Sequence, residues 1–532
     1  MKRIAYYIAL GAVLLTACRP QSDELLSYGQ NDNQVFLLAE LSFTEEFKAF
    51  WLAMNENYCI WDFEAEYGLD WDEVYTTYLP QFKALDDTTR AKVTDEELEA
   101  LYRQFTDSLH DGHMALLVKN LHTGNYIVLR PNMNRVMRER PQTYQNEMQF
   151  ITNLDTYLTG SLPAQYGIKA YDATGAREMA CELMLTTAIR VVNATTAYIA
   201  LVDANGGPDA TNDSIYAAAG RLQTTMIALA SVMSAPTQEV YDDIEKIVSQ
   251  YNTLANNFVH VCKQIGVEMQ PIETKLAEES LSVHYALFDG NIAYLRLNEF
   301  NLSSYLSNDY STETSSYYDA YGRSVQRVWH HWFDTIQTLH AAGQLGGVIL
   351  DVRNNTGGRV SDYEYVVGAL LPSGGYSNAT IRVKNGTGRL DFAPLSPCVW
   401  DTYDKEHEVV NDRPIVVLAN SRSISMAENS TWGVQSLDNG YFIGTRTMGA
   451  LSALNTAPAA YSETYSGAFG VQGQTAIYGY VPKLVCLYGD ELRPRESIGF
   501  IPDKEVQLDV QLWQTQKRDN QLEAALDYIH SK

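Results

Sequence analysis

Three serines within five residues, Ser421, Ser423 and Ser425, follow the apolar run PIVVLAN (414–420) and enter a helix-compatible segment at Met426-Ala427-Glu428. A hydroxyl at such a place lies beside helix N-terminal amides that lack intrahelical acceptors, and amides of that kind stabilise a developing oxyanion. Any one of the three serines can also serve simply as the helix N-cap, so the pattern by itself does not select a nucleophile. A second turn, Arg353-Asn354-Asn355-Thr356-Gly357-Gly358, follows GGVILDV (346–352). Its paired glycines admit unusual backbone angles and let a ligand come close to main-chain amides.

A serine nucleophile needs a base, and the chain has 10 His. His330, His331 and His340 fall in an apolar-rich helical stretch ahead of the first of these strands, and His122, His260, His284, His407 and His530 have no distinctive surroundings. His110 and His113 bracket Asp111-Gly112 in LHDGHMALL, after a helix and before an apolar run, where a turn leaves a ring free to face a cleft. There is no H-E-x-x-H, G-x-G-x-x-G or P-loop, so neither a metal nor a nucleotide is expected, and no cofactor is called for.

These turns require elements to hold them. GGVILDV and PIVVLAN are short continuous apolar runs, each leading through a small-residue turn into a helix-compatible segment, which indicates βαβ units and a largely parallel sheet covered on both faces. Function then belongs at the carboxyl ends of the strands. YALFDGNIAYLRLNEF reads as a hairpin about Asp289-Gly290, followed by a polar loop and a helix near 321–341. Phe43, Phe47, Phe50, Trp51 and Met54 recur at helical spacing, and Thr94 caps a second helix carrying Leu98, Leu101 and Phe105. Residues 41–120 therefore read as an N-terminal helical domain, 121–280 as a mainly helical middle region, and 281–532 as an α/β core. Within the middle region, Val240, Ile244, Ile247, Tyr251, Leu254 and Phe258 mark a long amphipathic helix, and 216–233 is also helical in pattern.

Composition bounds the partners. With 39 Lys+Arg against 65 Asp+Glu the net charge is −26, and no basic block is present, which excludes nucleic-acid binding. Lys2 and Arg3 precede the apolar run Ile4–Leu15 and then Leu15-Thr16-Ala17-Cys18, a signal peptide too short to span a bilayer and ending in a lipobox-like sequence. Residues 1–17 are thus expected to be removed, Cys18 to carry lipid, and 18–40 to tether the protein to a bacterial envelope membrane, facing the periplasm or the outside. The other cysteines, Cys59, Cys181, Cys262, Cys398 and Cys486, are scattered without a C-x-x-C pair and read as buried small hydrophobes.

Taken in order, LHDGH, GGVILDVRNNTGG, VVLANSRSISMAE, GTRTMG and ESIGFIPDKEV resemble the tail-specific (C-terminal-processing) serine peptidase family, over the N-terminal unit and roughly 285–530. The resemblance implies a crotonase-like core and a peptidase site between it and the helical domain. It makes Ser425 the nucleophile, Ser421 and Ser423 structural, and the amides of Gly357 and Met426 the oxyanion hole, with Gly358 shaping the turn. One branch of the family uses a Lys about 25 residues after the serine; here that place is Ala450, and no Lys occurs between Lys405 and Lys483. The tricorn-like branch uses a His, matched by His113, with Glu496 in the place of its acidic partner. Two departures stand out: Gly112 occupies a position where that branch can have Ser, and 121–280 lacks the PDZ signature of many relatives. The implied substrate is a peptide or unfolded protein. The competing reading is a catalytically inactive surface lipoprotein that binds peptides or small apolar ligands.

Overall fold

The computed structural model describes residues 42–147 apart from 142 and 144, 166–174, 195–209 with scattered positions up to 224, 281–308, 317–452 apart from 404, 466–469 and 476–532. The signal peptide, Cys18, the tether, Cys181, Cys262 and the long helix expected over 240–258 lie outside the described residues, as does most of 216–233.

The centre of the sheet that carries the site is built by strands that are apolar on both faces. Strands β3 (Ala170–Ala173), β4 (Val283–Phe288), β5 (Ile292–Leu297), β6 (Gly347–Asp351), β9 (Ile415–Ala419), β10 (Gly440–Gly444) and β14 (Lys504–Glu505) form one sheet in the order β14-β10-β9-β6-β5-β4-β3. Pairing from β5 through β14 is parallel, and β4 and β3 add antiparallel. The hairpin about Asp289-Gly290 is thus the β4–β5 turn. Alternation along β6 and β9 supplies both cores: Val348, Leu350, Val417 and Ala419 face the helix Tyr317–Ala341 and the helix Met426–Gln435, while Ile349, Val416 and Leu418 face the terminal helix Asn520–His530. Asp351 pairs with Leu418 and Ala419 with Gly444, so the turns that follow β6, β9 and β10 leave along one edge.

The N-terminal unit is not wholly helical. Helices Phe43–Asn57, Trp71–Leu85 and Asp95–Thr106 form an aromatic core, with Thr94 accepting the Glu97 amide as expected of a cap. The chain then continues into β1 (Ala115–Lys119) and β2 (Tyr126–Leu129), a hairpin that runs across residue 120. β1 also pairs antiparallel with β12 (Ile477–Pro482), which pairs with β11 (Ser466–Phe469), making a four-stranded sheet from both ends of the sequence. Alternation in ALLVK is shorter than a helical repeat can register, which is why the hairpin was hidden in the sequence. A third sheet, β13-β7-β8, joins Leu484–Tyr488, Tyr376–Val383 and Ser396–Trp400, and buries Cys398 and Cys486 as free thiols; Cys59 is likewise free and buried. Beyond β2, the described residues of 121–280 include the helix Pro131–Glu139 and the strand β3.

Candidate active site

Ser425 stands between β9 and the helix Met426–Gln435, at its N-cap, with φ 56° and ψ −116°. A non-glycine residue at positive φ is strained, and the surrounding bonds over-determine it. Its amide donates to the Ala450 carbonyl at 2.9 Å and lies 3.3 Å from Glu428 Oε2. Ser421 and Ser423 are turned into the structure instead: the Ser421 hydroxyl donates to Glu147, and the Ser423 hydroxyl donates to the Val352 carbonyl at 2.7 Å. Of the three, Ser421 and Ser423 are buried and Ser425 is partly exposed.

The glycine turn abuts this serine. Gly357 has φ 88°, and a Cβ placed on it would lie 2.6 Å from Ser425 Cβ and 3.1 Å from the Met426 nitrogen. Its N–H is engaged by Asn355 Oδ1 at 2.8 Å, so the expected oxyanion role of the Gly357 amide meets a prior commitment. The Gly357 carbonyl accepts the Phe300 amide at 2.8 Å, on the β5 side. In a trans peptide the following N–H points the opposite way, which directs the Gly358 amide toward the β9 side where Ser425 stands. Among the described residues neither the Gly358 nor the Met426 amide has a hydrogen-bond acceptor.

Glu428 welds the next loop to the serine turn. Its carboxylate accepts from Thr447 Oγ1 at 2.6 Å, the Gly449 amide at 2.7 Å and the Ala450 amide at 2.8 Å. Burial nonetheless pushes its carboxyl up to about 7. Against this loop lies the LHDGH turn: a Cβ on Gly112 would overlap Cβ and Cα of Ala450 and come within 2.5 Å of the Gly449 carbonyl oxygen. A serine at position 112 would therefore overpack this contact, and Ala450, where the other branch has its Lys, is the surface on which the His113 turn rests.

His113 is half-buried, its Nδ1 is buried without a hydrogen-bond partner, and burial lowers its pKa to about 4. Glu496 does not reach that nitrogen. Wholly buried, it accepts the Gly112 amide at 2.9 Å through Oε2, and the Leu451 amide, Ser452 amide and Ser452 hydroxyl at 2.9, 2.6 and 2.8 Å through Oε1. The carboxylate thus grips the backbone beside His113 rather than its ring.

Sequence reasoning missed the charged side chains that close this assembly from residues 131–147. Arg135 donates to the carbonyls of Asp107, Ser108 and Leu109 and to Ser497 Oγ, Arg140 to those of Arg446, Thr447 and Met448, and Glu147 receives Ser421 and Thr445. Pro131 at the first turn of a helix was the one local signal for this segment. Among the described residues no cluster of His, Cys, Asp and Glu could hold a metal ion.

A strained serine at the carboxyl end of a mixed α/β sheet, beside unengaged backbone amides, defines a site for acyl transfer of the serine-hydrolase type. Residues 291–471 match the model of Peptidase family S41, so that stretch carries a domain of this family of serine-type peptidases. The match includes Gly357, Gly358, Ser425 and Met426, whereas His113 and Glu496 lie outside it. Among solved structures, a candidate peptidase from Parabacteroides merdae ATCC 43184 is 16% identical, with 92% of this chain and 97% of that chain covered and a TM-score of 0.48. Mature CPAF complexed with lactacystin is 10% identical over 92% and 97% of the two chains at TM-score 0.41, and the tricorn protease is 15% identical over 49% and 24% at 0.27.

Proposed function

We propose that the protein is an endopeptidase that cleaves peptides or unfolded proteins through an acyl-enzyme. Ser425 attacks the scissile carbonyl as His113 takes its proton and passes it to the departing amine; His113 then takes a proton from the water that attacks the acyl group and returns it to the Ser425 oxygen as the acid leaves. Because Asn355 occupies the Gly357 amide, the oxyanion donors are the amides of Met426 and Gly358, with Gly357 giving the close approach to Ser425. Glu496 supports the base through the Gly112 amide. The core is crotonase-like in this reading, and Cys18 anchors the protein by lipid to the bacterial envelope; no described helix is long and apolar enough to cross a membrane.

The observation that carries the proposal is Ser425 at positive φ, packed on Gly357 and preceding an amide without an acceptor. The unpartnered Nδ1 of His113 favours the second reading, a lipoprotein that binds peptides or apolar ligands without cleaving them. Labelling of the soluble chain from residue 19 by a fluorophosphonate probe, in wild type, Ser425→Ala and His113→Ala, separates the two. Labelling lost in both folded variants supports the peptidase; a folded wild type that neither labels nor cleaves long peptides supports the binding protein. Labelling that persists in Ser425→Ala would show a different serine to be the nucleophile.

A further inference from the structure

We propose that Asp111 is a positioning residue for the His113 base, acting with Glu496 as a two-carboxyl clamp on successive amides of the base loop. The proposal rests on the assignment of His113 above.

Five consecutive amides of this loop are held by side chains. The His110 amide donates to Glu64 Oε1 at 2.7 Å, the Asp111 amide to the Tyr58 hydroxyl at 3.2 Å, and the Gly112 amide to Glu496 Oε2 at 2.9 Å. The His113 and Met114 amides both donate to Asp111 Oδ1, at 2.8 Å each. Since Nδ1 of the ring makes no hydrogen bond, the ring takes its place from the backbone that bears it. Asp111 and Glu496 fix that backbone on either side of the His113 Cα, and both are wholly buried.

The arrangement has a built-in charge limit. Asp111 Oδ2 is buried with no hydrogen-bond partner, and Glu496 and Glu64 raise the Asp111 pKa further after burial itself. Tyr58 and Cys59 face the same carboxyls and are neutral, the His110 ring is paired with Glu64 at 2.6 Å, and the Arg135 guanidinium holds the carbonyls of Asp107, Ser108 and Leu109 just ahead of the loop. Both clamp carboxyls have pKa values raised by burial, so the folded protein holds a proton on the pair that the unfolded chain gives up at lower pH. The stabilising effect is full below the ordinary carboxyl range and is lost as pH rises through the raised values. Two ionised carboxylates then repel beneath Gly112 and loosen the base.

The test is the fluorophosphonate labelling rate of the full soluble chain across pH, for wild type, Asp111→Asn, Asp111→Ala and His113→Ala, with thermal melts to establish folding. Asp111→Asn keeps an acceptor for the two amides and removes a charge, so it is expected to retain the rate wild type shows while the pair holds its proton and to lose the wild-type decline as pH rises through the raised values. Asp111→Ala removes the acceptor and is expected to label about 100-fold more slowly, the order of cost of misplacing a reacting group by 1 Å. If wild type labels and His113→Ala does not, yet folded Asp111→Ala matches wild type, the clamp is refuted while His113 stands as base. Should Asp111→Ala not fold, a decline with rising pH unchanged in Asp111→Asn refutes it equally. A wild type that does not label overturns the His113 assignment and the clamp together.

Discussion

At the scale of single residues, burial sets the working range of the proposed base. The His113 ring is neutral above its lowered pKa of about 4, so base capacity is present through the mildly acidic range and is lost as pH falls through about 4. The acid limb of labelling or peptide cleavage is accordingly expected near pH 4; a limb near the ordinary histidine value would show the ring to be solvated. Gly112 offers a second check. Restoring the serine of the tricorn-like pattern by Gly112→Ser overpacks the contact with Ala450 and is expected to cost about 1–3 kcal/mol in urea unfolding. Adding Ala450→Gly should not rescue it, because the overlaps with Ala450 Cα and the Gly449 oxygen remain. The roles proposed for Ser425, His113 and the glycine pair rest on motif order in the sequence. What Glu496 touches was not legible there: its partners are backbone amides 384, 45 and 44 residues away.

Secondary-structure elements bring these residues together through buried polar ties. Arg353, the first residue of the turn motif after Val352, is wholly buried between Asp351 and Asp519, with NH1–Oδ1 and NH2–Oδ2 distances to Asp519 of 2.9 and 2.7 Å. Asp519 is also the N-cap of the helix Asn520–His530, so one guanidinium joins β6, the glycine turn and the terminal helix. Arg353→Met strips Asp519 of its guanidinium partner and leaves Asp351 with Arg296 at 3.6 Å and the Tyr294 hydroxyl, and is expected to destabilise by about 3–5 kcal/mol, read as a lowered denaturant midpoint. Arg353→Lys should recover little, since an ammonium cannot satisfy both carboxylates bidentately. The β4–β5 hairpin, β6 and β9 were readable because continuous apolar runs between turn signals have few other solutions. The β1–β2 hairpin and the Arg135 and Arg140 ties were not, because they depend on partners far along the chain.

For the whole molecule, the four-stranded sheet makes the two ends of the sequence interdependent. Ile477, Val481, Val485 and Leu487 belong to the aromatic core of the N-terminal unit, and ion pairs Arg382–Asp62 and Arg389–Asp72, at 2.6 and 2.7 Å, cross the same boundary. A fragment of residues 281–532 would expose that apolar face and the β12 edge left by β1. It is expected to aggregate or bind the dye ANS and to be inactive, whereas a chain beginning at 42 should stay soluble. Sedimentation and dye fluorescence of the two proteins check this. A monodisperse 281–532 fragment would refute the shared core.

The sequence by itself determined which residues have chemistry to offer and which strands must be buried, because residue type, local spacing and apolar periodicity act within a few residues of chain. It also disfavoured the Lys branch of the resemblance, through the absence of a Lys near position 450. Only the tertiary structure decided that Ala450 supports the His113 turn, that Asn355 takes the Gly357 amide and that Glu496 holds backbone instead of ring. Those outcomes turn on hydrogen-bond geometry and steric contact between segments hundreds of residues apart, where a difference of one ångström changes the partner and no local pattern records it.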